Sequence, residues 1–318
     1  MEQQHWHGVF AAITTPFSAD LSVDHEFLRE HAAWLVDNGC TGIVALGSLG
    51  ESATLAFEEK VAILDSCYAA VGTRVPVVAG IAGLATGECV ALSRRAASAG
   101  CEGLMVLPPY VYRGDWRETE AHFSAIIEAT PLSCMLYNNP IAYGTDVSAD
   151  QLATLVRHDN LHAVKESSGD VRRVTAVIER LGDRLTVFAG LDDMIVESVA
   201  MGARGWIAGL VNALPAESVA LFDLAESDQW DEARALYDWF LPLLRLDTDP
   251  KFVQFIKLVQ AEVGKGTARV RPPRLELDGA ERDDVLRLVR ARLAARPQAV
   301  AGVGAGGRVA GDRTVARA

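Results

Sequence analysis

From Gly8 to Asn212, short apolar runs rich in β-branched residues alternate with longer stretches whose apolar positions recur at helical spacing. The alternation occurs eight times. The runs are GVFAAITTPF from Gly8, TGIVALGS from Thr41, PVVAGIAG from Pro76, GLMVLPPY from Gly103, PLSCMLYNNP from Pro131, LHAVKESSG from Leu161, LTVFAGLDD from Leu185 and GWIAGLVN from Gly205. Between them, stretches such as DHEFLREHAAWLVDNG and FEEKVAILDSCYAAVG carry the helical period and stop at glycine. Eight strand–helix units in one chain predict a closed (β/α)8 TIM barrel, where six would have pointed to an open doubly wound sheet. After Asn212 the pattern is helical only, at roughly 215 to 226, 229 to 246, 250 to 263 and 281 to 295. The chain therefore divides into a barrel over 1–214 and a C-terminal helical segment over 215–298, packed on the barrel or used between subunits. The Gly/Ala-rich, aperiodic stretch 299–318 reads as a disordered tail.

Composition narrows the partners. Half of the 318 residues are hydrophobic, enough for a large core. No apolar run reaches the roughly 18 residues of a membrane span, and MEQQHWHGVF lacks the basic and apolar regions of a signal peptide, so a soluble cytoplasmic protein is expected. A net charge of −12 repels a phosphate backbone. The expected partner is a small molecule, with no nucleic acid and no membrane. Cys40, Cys67, Cys89, Cys101 and Cys134 are odd in number and lack a C-x-x-C, which predicts buried free thiols. The GAGG of the tail has neither a strand before it nor a helix after it, as a nucleotide loop would require.

In such barrels the chemistry sits at the C-terminal ends of the strands. His5 and His7, whose spacing could otherwise point to a metal pair, precede the first strand and fall at the opposite face. GSLGE (Gly47 to Glu51), YNNP (Tyr137 to Pro140), Lys165 and GLDD (Gly190 to Asp193) each stand at a strand end. Lys165 is one of only five lysines, and the other four fall in helical or loop stretches. Pointing into the barrel, with Ala163 beside it and Val164 outward, it would be poorly hydrated. Burial disfavours the ammonium form, and a value of about 7 to 8 in place of about 10.4 would leave much of the amine neutral near pH 7. A neutral amine attacks carbonyls to give a Schiff base. The alternative is a lysine paired with Glu166 or another carboxylate at the rim. Tyr137 shares the inward side of the fifth strand with Met135 and Ser133. Its phenol could protonate a departing hydroxyl, or could simply be a core tyrosine with a satisfied hydroxyl. GSLG offers Ser48 and backbone N–H groups suited to a carboxylate.

In order and spacing, GSLGE, PPY, YNNP, VKESSGD and the late RPPRLEL resemble the dihydrodipicolinate synthase and N-acetylneuraminate lyase family over roughly residues 7 to 295. The resemblance implies a (β/α)8 barrel with C-terminal helices, usually a homotetramer, that forms a Schiff base between a strand-six lysine and a 2-oxo acid without metal or organic cofactor. It assigns the catalytic roles to Lys165 and Tyr137, and substrate binding to Ser48, Leu49, Gly190 and Ile207.

The chain departs from the synthases in three places. Ser48 and Leu49 replace two threonines, Val111 replaces a tyrosine that reaches the neighbouring subunit, and Ala142 stands where an arginine grips the aldehyde's carboxylate. IAYGTDV, KESSGDVRR, GWIAGLVNALP and the WFLPLL…KFVQFIKL run are most similar to a branch of the family, the 1-pyrroline-4-hydroxy-2-carboxylate deaminases. That branch implies a cyclic imine substrate. Dehydration of 2-keto-3-deoxy-L-arabonate, aldol cleavage of a longer sugar acid, and a catalytically inactive sugar-acid-binding barrel are the alternatives.

Overall fold

The computed structural model describes residues 1–297. The tail over 299–318, with its GAGG, lies outside the described residues. Eight strands form one closed parallel barrel in sequence order: β1 (Gly8–Ala12), β2 (Gly42–Ala45), β3 (Val77–Ile81), β4 (Gly103–Val106), β5 (Ser133–Asn138), β6 (Leu161–Glu166), β7 (Thr186–Ala189) and β8 (Gly205–Ala208). The ring closes where β8 pairs with β1, Ile207 against Phe10. Helices α1 (His25–Asp37), α2 (Phe57–Val71), α3 (Thr86–Ser98) and α4 (Trp116–Glu128) fill the first four connections. A short α5 (Pro140–Tyr143), then α6 (Ala149–Leu155), α7 (Arg172–Leu181) and α8 (Ile195–Ala200) fill the next three. Side chains that accept a backbone N–H at the first turn start several of them, as Asp24 does for α1, Asp115 for α4 and Ser148 for α6.

Helices α9 (Pro215–Glu226), α10 (Trp230–Leu244), α11 (Phe252–Glu262) and α12 (Gly279–Ala294) follow β8. Of these α9 packs against α8 and β1, so the eighth helix of the barrel's outer layer comes from the stretch that the pattern separates at 214. Beyond it α10 packs on α9, and α12 packs on both α10 and α11.

The barrel interior is filled by pairing large residues with glycine. A Cβ on Gly42 would lie 2.6 Å from the Phe10 ring, and one on Gly205 would lie 2.6 Å from Cδ1 of Phe188. Trp6, just before β1, stacks on Phe10 at 5.7 Å and meets Phe188 edge-on at 6.0 Å. Its indole N–H donates to Ser133 at 2.7 Å. Aromatic rings thus plug the N-terminal end, and polar groups are left to the other end. At the plugged end His7 faces Glu226 of α9. No group of three or more potential metal ligands occurs among the described residues, and the five cysteines are buried free thiols.

One polar tie joins β1 to the exit of β8, and a second holds the C-terminal segment to the barrel. Asn212 donates to the carbonyls of Ala12 at 2.8 Å and Gly209 at 2.9 Å while accepting from the Thr14 N–H, bridging β1 and β8. Lys257 of α11 donates to Glu51 at 2.5 Å and to the carbonyls of Thr15 and Arg269 at 2.8 Å. Both partners of that ion pair are buried. No helix among the described residues is long and apolar enough to cross a membrane.

Candidate active site

Register places the key side chains together. Tyr137 on β5 pairs with Lys165 on β6, and Lys165 with Phe188 on β7, so all three share the inward side of the barrel. The Lys165 amine lies 4.2 Å from the centre of the Tyr137 ring. Glu166 faces away from the pocket, accepting from Asn138 at 3.0 Å and from the Ser168 N–H at 2.6 Å. Among the described residues Lys165 makes no salt bridge, so the rim pairing with Glu166 does not occur. Burial pushes the Lys165 amine down from 10.5 to about 8, although Asp247 and Asp192 act to raise it.

Tyr137 is also buried, which pushes its phenol up to about 12 and keeps its proton in place. Asn139 donates to that phenol oxygen at 2.9 Å and uses its own carbonyl oxygen to cap α5 at the Ala142 N–H, 2.9 Å away. The cap fixes the single turn of α5, with Pro140 at its start. At the end of this turn Tyr143 presents its hydroxyl to Ser48 Oγ. The Tyr143 ring stands edge-on to Tyr137 at 5.8 Å and tilted against Tyr110 at 5.3 Å. Hydroxyls thus run from Ser48 through Tyr143 beside the phenol of Tyr137, a link made across the gap between the β2 and β5 ends.

The turn after β2 holds its backbone in an unusual shape, with positive φ at Leu46 and Glu51. Glu51 N–H closes it on the Ser48 carbonyl at 3.1 Å, and Thr15 donates to the Gly50 carbonyl at 2.6 Å. No hydrogen bond from the Ser48 or Leu49 N–H occurs among the described residues, so both amides are available to an anion. Leu49 itself is buried.

Gly190 lies just past the end of β7, and Ile207 is buried on β8 opposite Phe10. Phe188 and Gly205 pair with each other, so the next inward positions, Gly190 after β7 and Ile207 on β8, lie one step nearer the open end. A Cβ on Gly190 would be 2.7 Å from Cε of Lys165, besides striking the Ser167 hydroxyl. Only glycine leaves the lysine its position. Asp192, in the turn that follows, is fully buried and accepts from the indole of Trp206 at 2.9 Å and the N–H groups of Gly209 at 3.1 Å and Leu210 at 2.8 Å. Burial pushes it up to about 6.

Sequence reasoning passed over Asp192 as an individual residue and Asp247 altogether. GLDD at a strand end was the available signal for the first. Asp247 lies past the eight-fold repeat, where no pattern marks it. Two of the positions that depart from the synthases lie at the surface: Val111 is 87% exposed with positive φ, and Ala142 is exposed.

The model of the dihydrodipicolinate synthetase family matches residues 5–292. The chain is 35% identical over 282 residues to the 4-hydroxy-tetrahydrodipicolinate synthase of Haloarcula marismortui, covering 87% of this chain and 91% of that protein. It is 36% identical over 251 residues to the enzyme of the same name from Methanosphaerula palustris, covering 77% and 86%. The chloride-inhibited dihydrodipicolinate synthase from Acinetobacter baumannii, solved in complex with pyruvate, superposes with a TM-score of 0.85 at 27% identity over 90% of this chain and 98% of that one. A closed barrel with lysine and tyrosine side by side on β6 and β5, matched by a family model along nearly its whole length, means that this chain belongs to the dihydrodipicolinate synthetase family.

Proposed function

We propose that this chain is a Schiff-base-forming lyase that deaminates 1-pyrroline-4-hydroxy-2-carboxylate to 2,5-dioxopentanoate and ammonia. The observation that carries the Schiff-base reading is Lys165, a buried amine that makes no salt bridge among the described residues, pushed to about 8 and lying 4.2 Å over the ring of Tyr137. About one in ten such amines is neutral at pH 7, against roughly three in ten thousand for an ordinary lysine.

The substrate carboxylate rests on the Ser48 and Leu49 amides. Lys165 adds to C2 and expels the ring nitrogen, leaving an open-chain Schiff base with an amine on C5. Loss of a C3 proton gives an enamine, which expels the C4 hydroxyl as Tyr137 delivers a proton to it. Loss of a C5 proton and reprotonation of the chain move the unsaturation to a C5 imine. Hydrolysis there releases ammonia, and hydrolysis at C2 frees Lys165. One water is consumed overall, and the steps call on no metal or organic cofactor.

Two other substrates engage the same lysine. With a hydroxyl in place of the C5 amine, the sequence dehydrates 2-keto-3-deoxy-L-arabonate to the same product. Condensation of the synthase kind is the reading that the relatives' names favour. Arg113 supports it by lying against the Gly144 turn, a cation at the rim on the side where Ala142 supplies none. Against it stand Leu49, Val111 and Ala142 in place of the residues expected of synthases. Offering the pyrroline, the arabonate, and pyruvate with aspartate semialdehyde separately decides among the three. Ammonia in step with dioxopentanoate from the pyrroline supports deamination; product from either other arm alone replaces it. The assembly proposed is a homotetramer, with exposed Val111 and Tyr112 as contact candidates, testable by light scattering.

A further inference from the structure

A single helical turn, Arg245–Thr248, joins α10 to α11 and carries Asp247 back to the barrel mouth. The turn packs against the segment holding Asp192. The Asp247 carboxyl lies directly on Gly209, where a Cβ would fall 2.6 Å from Asp247 Cγ. Gly209 follows Gly205 and Ile207 on the inward side of β8 and its exit. The carboxyl therefore stands over the mouth from the β8 side, across from Tyr137 and Lys165 on β5 and β6. It is only partly exposed, and among the described residues it takes no hydrogen bond and no salt bridge. Asp192 and Glu166, its nearest rivals, are both saturated by donors. What the carboxyl does meet is charge, that of Lys165 and of the neighbouring carboxyls.

We infer that Asp247 is the proton donor to the ring nitrogen, an inference that rests on the pyrroline reading above. Lys165 adds to C2 and passes one of its protons to the ring nitrogen; Asp247 then gives that nitrogen its own. The C2–N bond breaks with its electron pair kept by nitrogen, the C2 iminium forms on Lys165, and the new carboxylate faces a primary amine on C5. Burial, together with the Asp192 carboxylate, raises Asp247 well above the usual carboxylate range and so favours its protonated form, while Lys165 pulls the other way. A hydroxyl on C5 is not bonded to C2 and needs no such proton. Asp247 thereby becomes the residue that separates an amine-bearing substrate from a hydroxyl-bearing one.

The test compares adduct formation on Lys165, trapped with cyanoborohydride and read by mass, for 1-pyrroline-2-carboxylate, which must be opened, and 2-oxopentanoate, which has no ring. In Asp247→Asn, trapping of the pyrroline should slow roughly a hundredfold. Trapping of 2-oxopentanoate should change less than about twofold, since general-acid assistance to a ring nitrogen is absent there. Equal losses on both ligands, or no loss on either, overturn the assignment. Should Asp247→Asn fold poorly, Asp247→Ala supplemented with formate replaces it, with restored pyrroline trapping expected and absent rescue counting against the role. Ammonia release from the 4-hydroxylated substrate is a separate readout. Asp247-dependent ring opening without ammonia would keep this inference and remove the deaminase reading.

Discussion

Replacing Lys165 with methionine should abolish Schiff-base chemistry and make the fold more stable at neutral pH. Methionine keeps an unbranched stem of similar reach while removing the charge. Burial lowers the amine from 10.5 to about 8, so below pH 8 both folded and unfolded chains carry the proton and the folded state bears the full cost of holding it. As pH rises from about 8 toward 10.5 the folded protein sheds a proton that the unfolded chain keeps, and the cost fades. The difference is worth roughly 3 kcal/mol at pH 7 and about 1.4 kcal/mol at pH 9.5. The net gain of Lys165→Met is therefore about 3 kcal/mol at pH 7 and about 1.4 kcal/mol at pH 9.5. Asp192, at about 6, titrates below this window. Urea unfolding of both proteins at one fixed concentration measures the difference, since an oligomer's stability depends on concentration. A variant less stable than the parent at pH 7, or a gain of the same size at pH 9.5, would refute the desolvation argument.

Three further outcomes follow from the geometry. Tyr137→Phe should leave trapping of a 2-oxo acid on Lys165 intact while lowering turnover by about 10² to 10⁴, because the phenol's task is proton delivery; a variant unable to form the adduct would assign it a different role. Gly190→Ala puts a methyl group 2.7 Å from Cε of Lys165. It should cost about 1 to 3 kcal/mol in unfolding measurements and slow adduct formation at least about tenfold, and unchanged trapping would show that the lysine is not positioned by this contact. Glu51→Gln leaves Lys257 charged and buried without its counter-ion, at an expected cost of about 3 to 5 kcal/mol by urea unfolding; a loss under about 1 kcal/mol would mean that the two carbonyls beside it suffice.

The chain by itself determined the barrel. Eight apolar runs interleaved with helical periods leave few ways to bury both faces of a parallel sheet, and closing the sheet on itself is one that needs no edge strand. It also determined where to look, because strand direction sends polar groups to one end, and Lys165 and Tyr137 stand at strand ends as residues the core alone does not require. Tertiary structure decided whether that lysine is paired, since only the barrel shows Glu166 held by Asn138 and Ser168 while the amine lies free over Tyr137. It likewise brought Tyr143 to Ser48, 95 positions apart, and Asp247 onto Gly209, from a helical segment whose period says nothing about which turn will face the mouth. Periodicity reports which face of an element is buried. What meets that face, and so which charges share a pocket and how far burial moves them, depends on contacts between distant segments that no local pattern encodes.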